Sequence, residues 1–410
     1  LQGRGSSVGL LALLLAGLAM LGPFSVDTYL PSFPAIERDF SVTPLQVQQT
    51  LTAYLATFAL MTLFHGTVSD SFGRRPVVLA NLLLFTAATI GCALAPDFKH
   101  LLAFRAVQGL SAGAGIVVGR AIIRDRFEGF AAQRLMSLVT MIFGLAPAIA
   151  PVIGGRLQSW FGWHSIFVFL ACYGALMLVV CWFRLPETHP PSARQPFTPR
   201  SLATSYLRLA RSRLLQLLCL TVAFNFSGGF LYVASAPAIL YGLLERDAND
   251  FALLFVPGIA GIMLGAGISG RTAGRIAPRR TVGIAFAIMF TAAAGNAIYH
   301  ALAEPTIVSV AAAFMGYGVG MALAMPSLTI MALDLFPAHR GTASSLQGFV
   351  HTGGSAVTTG VIAPHIYHDA GTLALGMLLF AAAGWVSWTL YLRFADSNPS
   401  QNVTVGKERH

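Results

Sequence analysis

The chain reads as long apolar runs separated by short polar connections. The runs lie near residues 8–30, 47–69, 76–95, 101–123, 135–157, 163–183, 214–240, 250–270, 281–300, 306–332, 342–366 and 371–392. A helix needs about 20 apolar residues to cross the hydrocarbon of a bilayer, and each run has roughly that length. Their hydrophobicity is continuous rather than alternating, as from Val78 to Leu94, which excludes the roughly ten-residue alternating strands of an outer-membrane barrel. The pattern predicts an all-α membrane protein with twelve transmembrane helices. The first run follows Arg4 in the manner of a signal sequence, but it continues through Pro23 and Asp27 without a small-residue cleavage site. It is expected to be retained as helix one.

Composition agrees with this reading. Of 410 residues, 55% are hydrophobic and 10% charged, against roughly 25% charged in an ordinary soluble domain, so no large soluble catalytic domain fits. The net charge of +10, from 26 Lys plus Arg against 16 Asp plus Glu, is a matter of placement. With the N-terminus inside, the cytoplasmic connections hold most of the basic residues and leave only Arg38, Lys99, Arg105, Arg120, Arg156 and Arg246 for the outer side and the helices. The positive-inside rule then puts both termini in the cytoplasm. The basic charge sets topology and meets anionic membrane lipid, and no nucleic-acid partner is called for. Cys92, Cys172, Cys181 and Cys219 lie in or beside apolar runs without CxxC spacing, as buried thiols would.

The longest hydrophilic connection, 184–213, is rich in Pro and Arg. It divides the chain into a six-helix bundle over 1–183, a cytoplasmic linker with room for a surface helix, a second six-helix bundle over 214–393, and a polar tail over 394–410 expected to be disordered. The halves echo one another. Gly66-Thr-Val-Ser-Asp70-Ser-Phe-Gly73-Arg74-Arg75 after run two is matched by Arg271-Thr-Ala-Gly-Arg275-Ile-Ala-Pro-Arg279-Arg280 after run eight, and Asp125-Arg-Phe127 by Asp334-Leu-Phe336. Two pseudo-symmetric bundles follow from such a duplication.

Charges inside the spans carry the chemistry, because each costs at least about 2.5 to 3.5 kcal/mol at a helix centre and so faces water or a partner. Asp27, Arg105 and Arg120 are the candidates. On a straight helix the two arginines, fifteen residues apart, differ by about 60° in direction and about 22 Å in height, which places both on roughly one side of span four. Asp27 also has a plain reading, as a residue that ends or caps helix one before Pro31. In the loop after span two, Gly66 permits close helix packing, Gly73 a tight turn, and Asp70 can cap a helix end or pair with Arg74; alternatively these are interfacial charges that set topology. Pro147, Pro151, Gly154 and Gly155 are the residue types that bend a membrane helix and let a neighbour approach. Ordinary small-residue packing would use them too.

The loop Gly66-x-x-x-Asp70-x-x-Gly73-Arg74-Arg75-Pro76 resembles the signature of the major facilitator superfamily. Arg105-Ala-Val-Gln108-Gly109 is similar to the motif of its proton-coupled members, and Gly144 with Ala150-Pro151-Val-Ile-Gly154-Gly155 to that of its drug antiporters, with Ala150 where Gly is more usual. Val26-Asp27-Thr-Tyr29-Leu-Pro31-Ser-Phe-Pro34 and Arg120-Ala-Ile-Ile-Arg124-Asp125 resemble the bicyclomycin and chloramphenicol resistance subgroup (Bcr/CflA). The resemblance implies a proton-driven drug exporter of the bacterial cytoplasmic (inner) membrane, working as a monomer by alternating access with no cofactor. Asp70, Arg74, Arg75 and Asp125, with Gly66 and Gly73, would form a cytoplasmic gate whose charge relay holds the outward-facing state. Asp27 would carry the proton and interact with Arg105 directly or through water, and the bent helix through Gly144, Pro147, Pro151, Gly154 and Gly155 would seal the cavity. Arg120, Tyr54, Phe58, Met141, Phe143, Phe224, Asn225, Phe226, Phe230 and Met321 are the expected substrate contacts. Such a lining has little excess carboxylate, which suits neutral, zwitterionic or weakly ionic amphiphiles of the chloramphenicol or bicyclomycin kind. An exporter of one metabolite, such as a sugar or amino acid derivative, is the rival with the same architecture. No HExxH, GxSxG or GxxxxGK[ST] sequence and no filter repeat speaks for an enzyme, pump or channel. His365 and His368 alone make a weak metal site, and no metal is expected.

Overall fold

The computed structural model describes residues 2–194 and 198–397, and within them every regular element is helical. In the first half, α1 (Gln2–Asp27) is followed by a 3-10 turn (Leu30–Ser32) and the short α2 (Phe33–Phe40). Then come α3 (Pro44–Phe72), α4 (Arg74–Ala93), α5 (Phe98–Ala112), α6 (Ala114–Arg126), α7 (Gly129–Phe161) and α8 (His164–Arg184). The linker contributes α9 (Pro199–Ala210). The second half runs through α10 (Arg213–Ala234), α11 (Phe251–Thr272), α12 (Pro278–Leu302), α13 (Ile307–Asp334), α14 (Arg340–Val357), the short α15 (Ala363–Ile366) and α16 (Ala370–Ser397).

Helix starts follow local chemistry. The Thr43 hydroxyl accepts the Gln46 N–H while the Gln46 side chain accepts the Thr43 N–H, with Pro44 in the first turn, so two orphan donors are met by side chains. Thr306 and Ser309 repeat this at α13, and Asp97 and Ser212 cap α5 and α10. Breaks fall where the sequence lacks helical support. Span four is two helices interrupted at Gly113, and α10 ends at Ala234, before Ser235-Ala236-Pro237, with a π-helical stretch (Ala238–Leu243) beyond it.

Eleven helical stretches among the described residues are long and apolar enough to cross a membrane. The remaining span, the eleventh in chain order, is helical from Arg340 to Ile366 but is interrupted by a π-helical turn (Thr358–Ile362) and carries Ser, Thr, Gln and His among its apolar residues. The expected polar tail starts later than residue 394. An Arg279–Asp396 ion pair of 2.8 Å and the Ser397 hydroxyl on the Arg393 carbonyl carry α16 through Ser397; residues 398–410 lie outside the described residues.

The chain forms two compact units. One comprises Leu1–Phe197 with Asp247–Ala252, the other Thr198–Arg246 with Leu253–His410. In the first unit α1 packs on α7, α3 on α5, and α4 on α8. In the second, α10 packs on α14 and α12 on α16, and α11 lies on α13, with Gly261 and Gly265 against the Met315 and Val319 carbonyls. Spans one and five, two and four, and three and six of the first half thus pair as spans seven and eleven, eight and ten, and nine and twelve do in the second. The pairings support the duplication inferred from the loops. Gly109 makes the α3–α5 contact possible, since a β-carbon there would collide with the Tyr54 carbonyl.

Candidate functional site

Arg105 is fully buried on α5. Its guanidinium carbon lies 4.5 Å from the ring centres of both Tyr29 and Tyr54, a cation held against two aromatic faces. Nη1 donates to the Ser25 carbonyl at 3.1 Å and to Gln108 Oε1 at 2.5 Å, and the Gln108 amide donates to Thr89 at 2.8 Å. Both tyrosines are anchored, Tyr29 by a 2.8 Å hydrogen bond with Thr50 and Tyr54 by donation to the Gly22 carbonyl at 3.2 Å. Arg105 Nε and Nη2 have no hydrogen-bond partner.

Asp27 is the last residue of α1 and is 4% exposed. Of the two forms of contact with Arg105 expected from the sequence, direct or through water, the direct ion pair is absent among the described residues. The tyrosine rings and the Ser25 carbonyl hold the guanidinium instead, two residues short of the carboxylate. Asp27 does end its helix, as its plain reading has it, yet it is buried at that end. Arg120 differs from Arg105: it is exposed on α6. One turn residue, Gly113, separates α5 from α6 between the two arginines, and its backbone stays right-handed helical at φ −75° and ψ −18°.

Three of the residues expected to form the gate, Asp70, Arg74 and Asp125, meet. Arg74 is buried, and its Nη1 bonds Asp70 Oδ1 at 2.5 Å and the Ser69 hydroxyl at 2.7 Å, while Nε reaches Asp125 Oδ2 at 3.1 Å. Gly73 has φ +100°, in the region that favours glycine. The sequence reading missed the linker's part in this cluster. Glu187 accepts the N–H groups of Arg74 and Arg75, at 3.0 and 3.3 Å, at the start of α4, and pairs with Arg194 at 3.6 Å. Thr188 donates to the same Asp125 oxygen at 3.0 Å. A side chain at Gly73 would strike both Glu187 and Arg194. Glu187 is the only acidic residue between Arg184 and Arg213, and that isolation was the available signal. Arg75 turns away, donating to the Trp182 carbonyl at 2.6 Å.

On α7, Gly154 and Gly155 are buried, and a β-carbon at either would collide with a backbone carbonyl, that of Thr28 after α1 and that of Ala248 respectively. Asn249 donates to the Ser159 hydroxyl at 3.3 Å, and Ser32 donates to Gln158 at 2.8 Å. Pro147 and Pro151 lie within the continuous helix, and Gly144 has nothing beside it.

The expected substrate contacts fall into two groups, one in each unit. In the first unit Tyr54 is fully buried against Arg105, Phe58 packs near Tyr54 and Gly22, Phe143 is half-buried, and Met141 is 54% exposed. In the second unit Asn225 is fully buried and donates to the Met321 carbonyl at 3.3 Å, while Phe224 lies near Phe380. Phe226 stacks with Phe230 at 5.6 Å and stands edge-on to His351 at 4.1 Å, a histidine the sequence reading did not count among the substrate contacts.

A polytopic helical protein with paired bundles, a buried intramembrane arginine and a charged loop after span two is built as a membrane transporter. The chain belongs to the Major Facilitator Superfamily, whose family model matches residues 13–359. It is 32% identical over 91% of its length, and 92% of the relative's, to the uncharacterized MFS-type transporter YdgK of Bacillus subtilis. It is 31% identical to the bicyclomycin resistance protein homolog of Haemophilus influenzae over 84% of this chain and 87% of that one. With multidrug resistance protein D of Escherichia coli the identity is 29%, over 92% and 94%. Among solved structures, the human organic anion transporter MFSD10 superposes with a TM-score of 0.71 at 19% identity over 94% of this chain and 99% of that one. A D-xylose-proton symporter superposes at 0.69 and 14% identity, over 91% and 97%. These two likenesses concern the fold.

Proposed function

We propose that the protein is a proton-coupled multidrug exporter of the bacterial cytoplasmic membrane, with both termini in the cytoplasm. It moves neutral, zwitterionic or weakly ionic amphiphiles by alternating access, works as a monomer, and needs no cofactor beyond the proton gradient. The observation that carries this reading is the buried pair of opposite charges in the first unit: Asp27 at the end of α1, and Arg105 held by tyrosines with two nitrogens unbonded. Buried ionisable groups in a membrane span are costly and mark ion or substrate pathways. Asp27 takes up and releases the proton, and the tyrosine-clamped Arg105 supplies a fixed positive charge that changes its influence as the helices rearrange. Relatives named for bicyclomycin and multidrug resistance support drugs as the cargo.

The test is chloramphenicol flux in proteoliposomes under an imposed pH step. Wild-type flux should follow the gradient, and Asp27→Asn and Arg105→Ala should each lose most of the gradient-driven component. Gradient-driven flux at the wild-type level in Asp27→Asn would remove Asp27 as the proton site. A wild-type protein whose flux ignores the pH step would overturn coupled export itself.

A further inference from the structure

The one span too polar to pass as a membrane helix by composition holds polar groups that the second unit leaves unmatched. α14 carries Ser344, Ser345, Gln347, His351, Thr352 and Ser355, a set unsuited to a lipid-facing surface. It packs along α10, with Gly354 set against Ala223 and Ser227. Hydroxyls on this face are satisfied locally: Ser355 donates to the His351 carbonyl at 3.2 Å, and Thr358 to the Gly354 carbonyl at 2.9 Å.

Gln347 and His351 are not satisfied in this way. Gln347 is 6% exposed, yet its amide nitrogen has no hydrogen-bond partner, and neither does the buried Nε2 of His351. They stand one turn apart on the same helix face, about 6 Å along the axis. A buried polar group left unpaired is costly, and this helix carries two of them within one turn. Phe226 stands edge-on to His351 at 4.1 Å and stacks with Phe230, so α10 offers two half-buried rings beside the histidine. The charges of α10 to α14 and α16 all lie towards helix ends, at Arg213, Arg271, Arg279, Arg280, Asp334, Arg340, Arg393 and Asp396. The neighbourhood is therefore aromatic and hydrogen-bonding, without formal charge.

We propose that Gln347 and His351, with Phe226 and Phe230, form a subsite for the uncharged end of the substrate, an aromatic ring bearing an acceptor oxygen. The proposal rests on the drug-export reading for its choice of ligands and assigns a part of the second unit to recognising them. The rings stack on or beside the ligand's aromatic group. The Gln347 amide donates to its oxygen, and His351 Nε2 makes the second hydrogen bond in whichever tautomer the ligand selects. Ligand binding thereby meets both unpaired groups.

The test is equilibrium binding of chloramphenicol, a neutral aromatic compound with acceptor oxygens, to the purified full-length protein without any gradient. Melting of the ligand-free protein is measured alongside. Gln347→Leu and His351→Leu should each weaken binding tenfold or more while melting at or above the wild-type temperature, because leucine removes an unpaired polar group. His351→Gln, which keeps a polar group near that position, should retain more of the affinity than His351→Leu. Unchanged affinity in both leucine variants would overturn the subsite. Loss of affinity accompanied by a lower melting temperature in both would also overturn it, since the pair would then be structural. Failure of wild-type protein to bind chloramphenicol would overturn the ligand chemistry. Failure of proton coupling alone shows only in the flux experiment with Asp27→Asn and leaves these binding results as they are.

Discussion

Removing the Glu187 carboxylate should unfasten the start of α4 without disturbing the rest of that helix. In the structure one carboxylate accepts the N–H groups of Arg74 and Arg75, at 3.0 and 3.3 Å, and those of Thr188 and His189, both at 2.9 Å. The first two are orphan donors of the helix N-terminus. Loss of a cap costs about 0.5 to 2 kcal/mol, and the part-exposed pair with Arg194 adds less than about 1 kcal/mol. An opening free energy lower by about 1 to 2 kcal/mol corresponds to roughly 5- to 30-fold faster amide exchange. Hydrogen–deuterium exchange on Glu187→Ala should therefore show that acceleration in peptides covering residues 74–77. Peptides from the middle of α4, around Phe85, should stay within about twofold. Glu187→Gln, which keeps an acceptor oxygen, should fall between the two. Unaltered exchange at 74–77 in Glu187→Ala would refute the assignment of the linker as the cap of this helix.

Two further outcomes follow from positions described above. Gly154→Ala should lower the melting temperature, since its β-carbon meets the Thr28 carbonyl and overpacking costs about 1 to 3 kcal/mol. Gly144→Ala, with open space beside it, should leave the melting temperature unchanged or raise it; equal effects at the two sites would refute the contact. The backbone N–H and ring of His100 hold the exposed Asp97 carboxyl below the usual carboxylate range. The ionised cap accordingly contributes stability at a pH above the unfolded value of about 4, and this is lost as pH falls through the lower folded value. Exchange in the first turn of α5, corrected for intrinsic rates, should be steady near pH 5 and rise towards pH 3. In Asp97→Asn, which caps without titrating, that rise should disappear.

The elements legible in the sequence were those set by local composition and periodicity: the spans, the linker, and the loop after span two with its glycines. What escaped depended on contacts far apart in the chain. Glu187 lies 113 residues from the backbone N–H of Arg74 that it caps, and nothing in its immediate neighbours announces the partner. The expected approach of Asp27 to Arg105 did not include Tyr29 and Tyr54, which, read separately, converge on the guanidinium from beyond the end of α1 and from α3. The exposure of Arg120, against the full burial of Arg105 on the same span, depends on which neighbours pack there and is not written in the span's own pattern. Span eleven was legible as a run of suitable length, but the pattern did not reveal that Gln347 and His351 would be left without partners.

The short stretch Asp247–Ala252 belongs by sequence to the second half and by packing to the first. Gene fusion and duplication can copy bundles as blocks, but this stretch means the blocks no longer separate cleanly at the linker. A chimera that joins the first half of this protein to the second half of a relative would leave α7's Gly155 facing a foreign turn where Ala248 now sits. Swaps that carry residues 247–252 along with the first half, as a small island transplanted into the recipient, should be the ones that assemble.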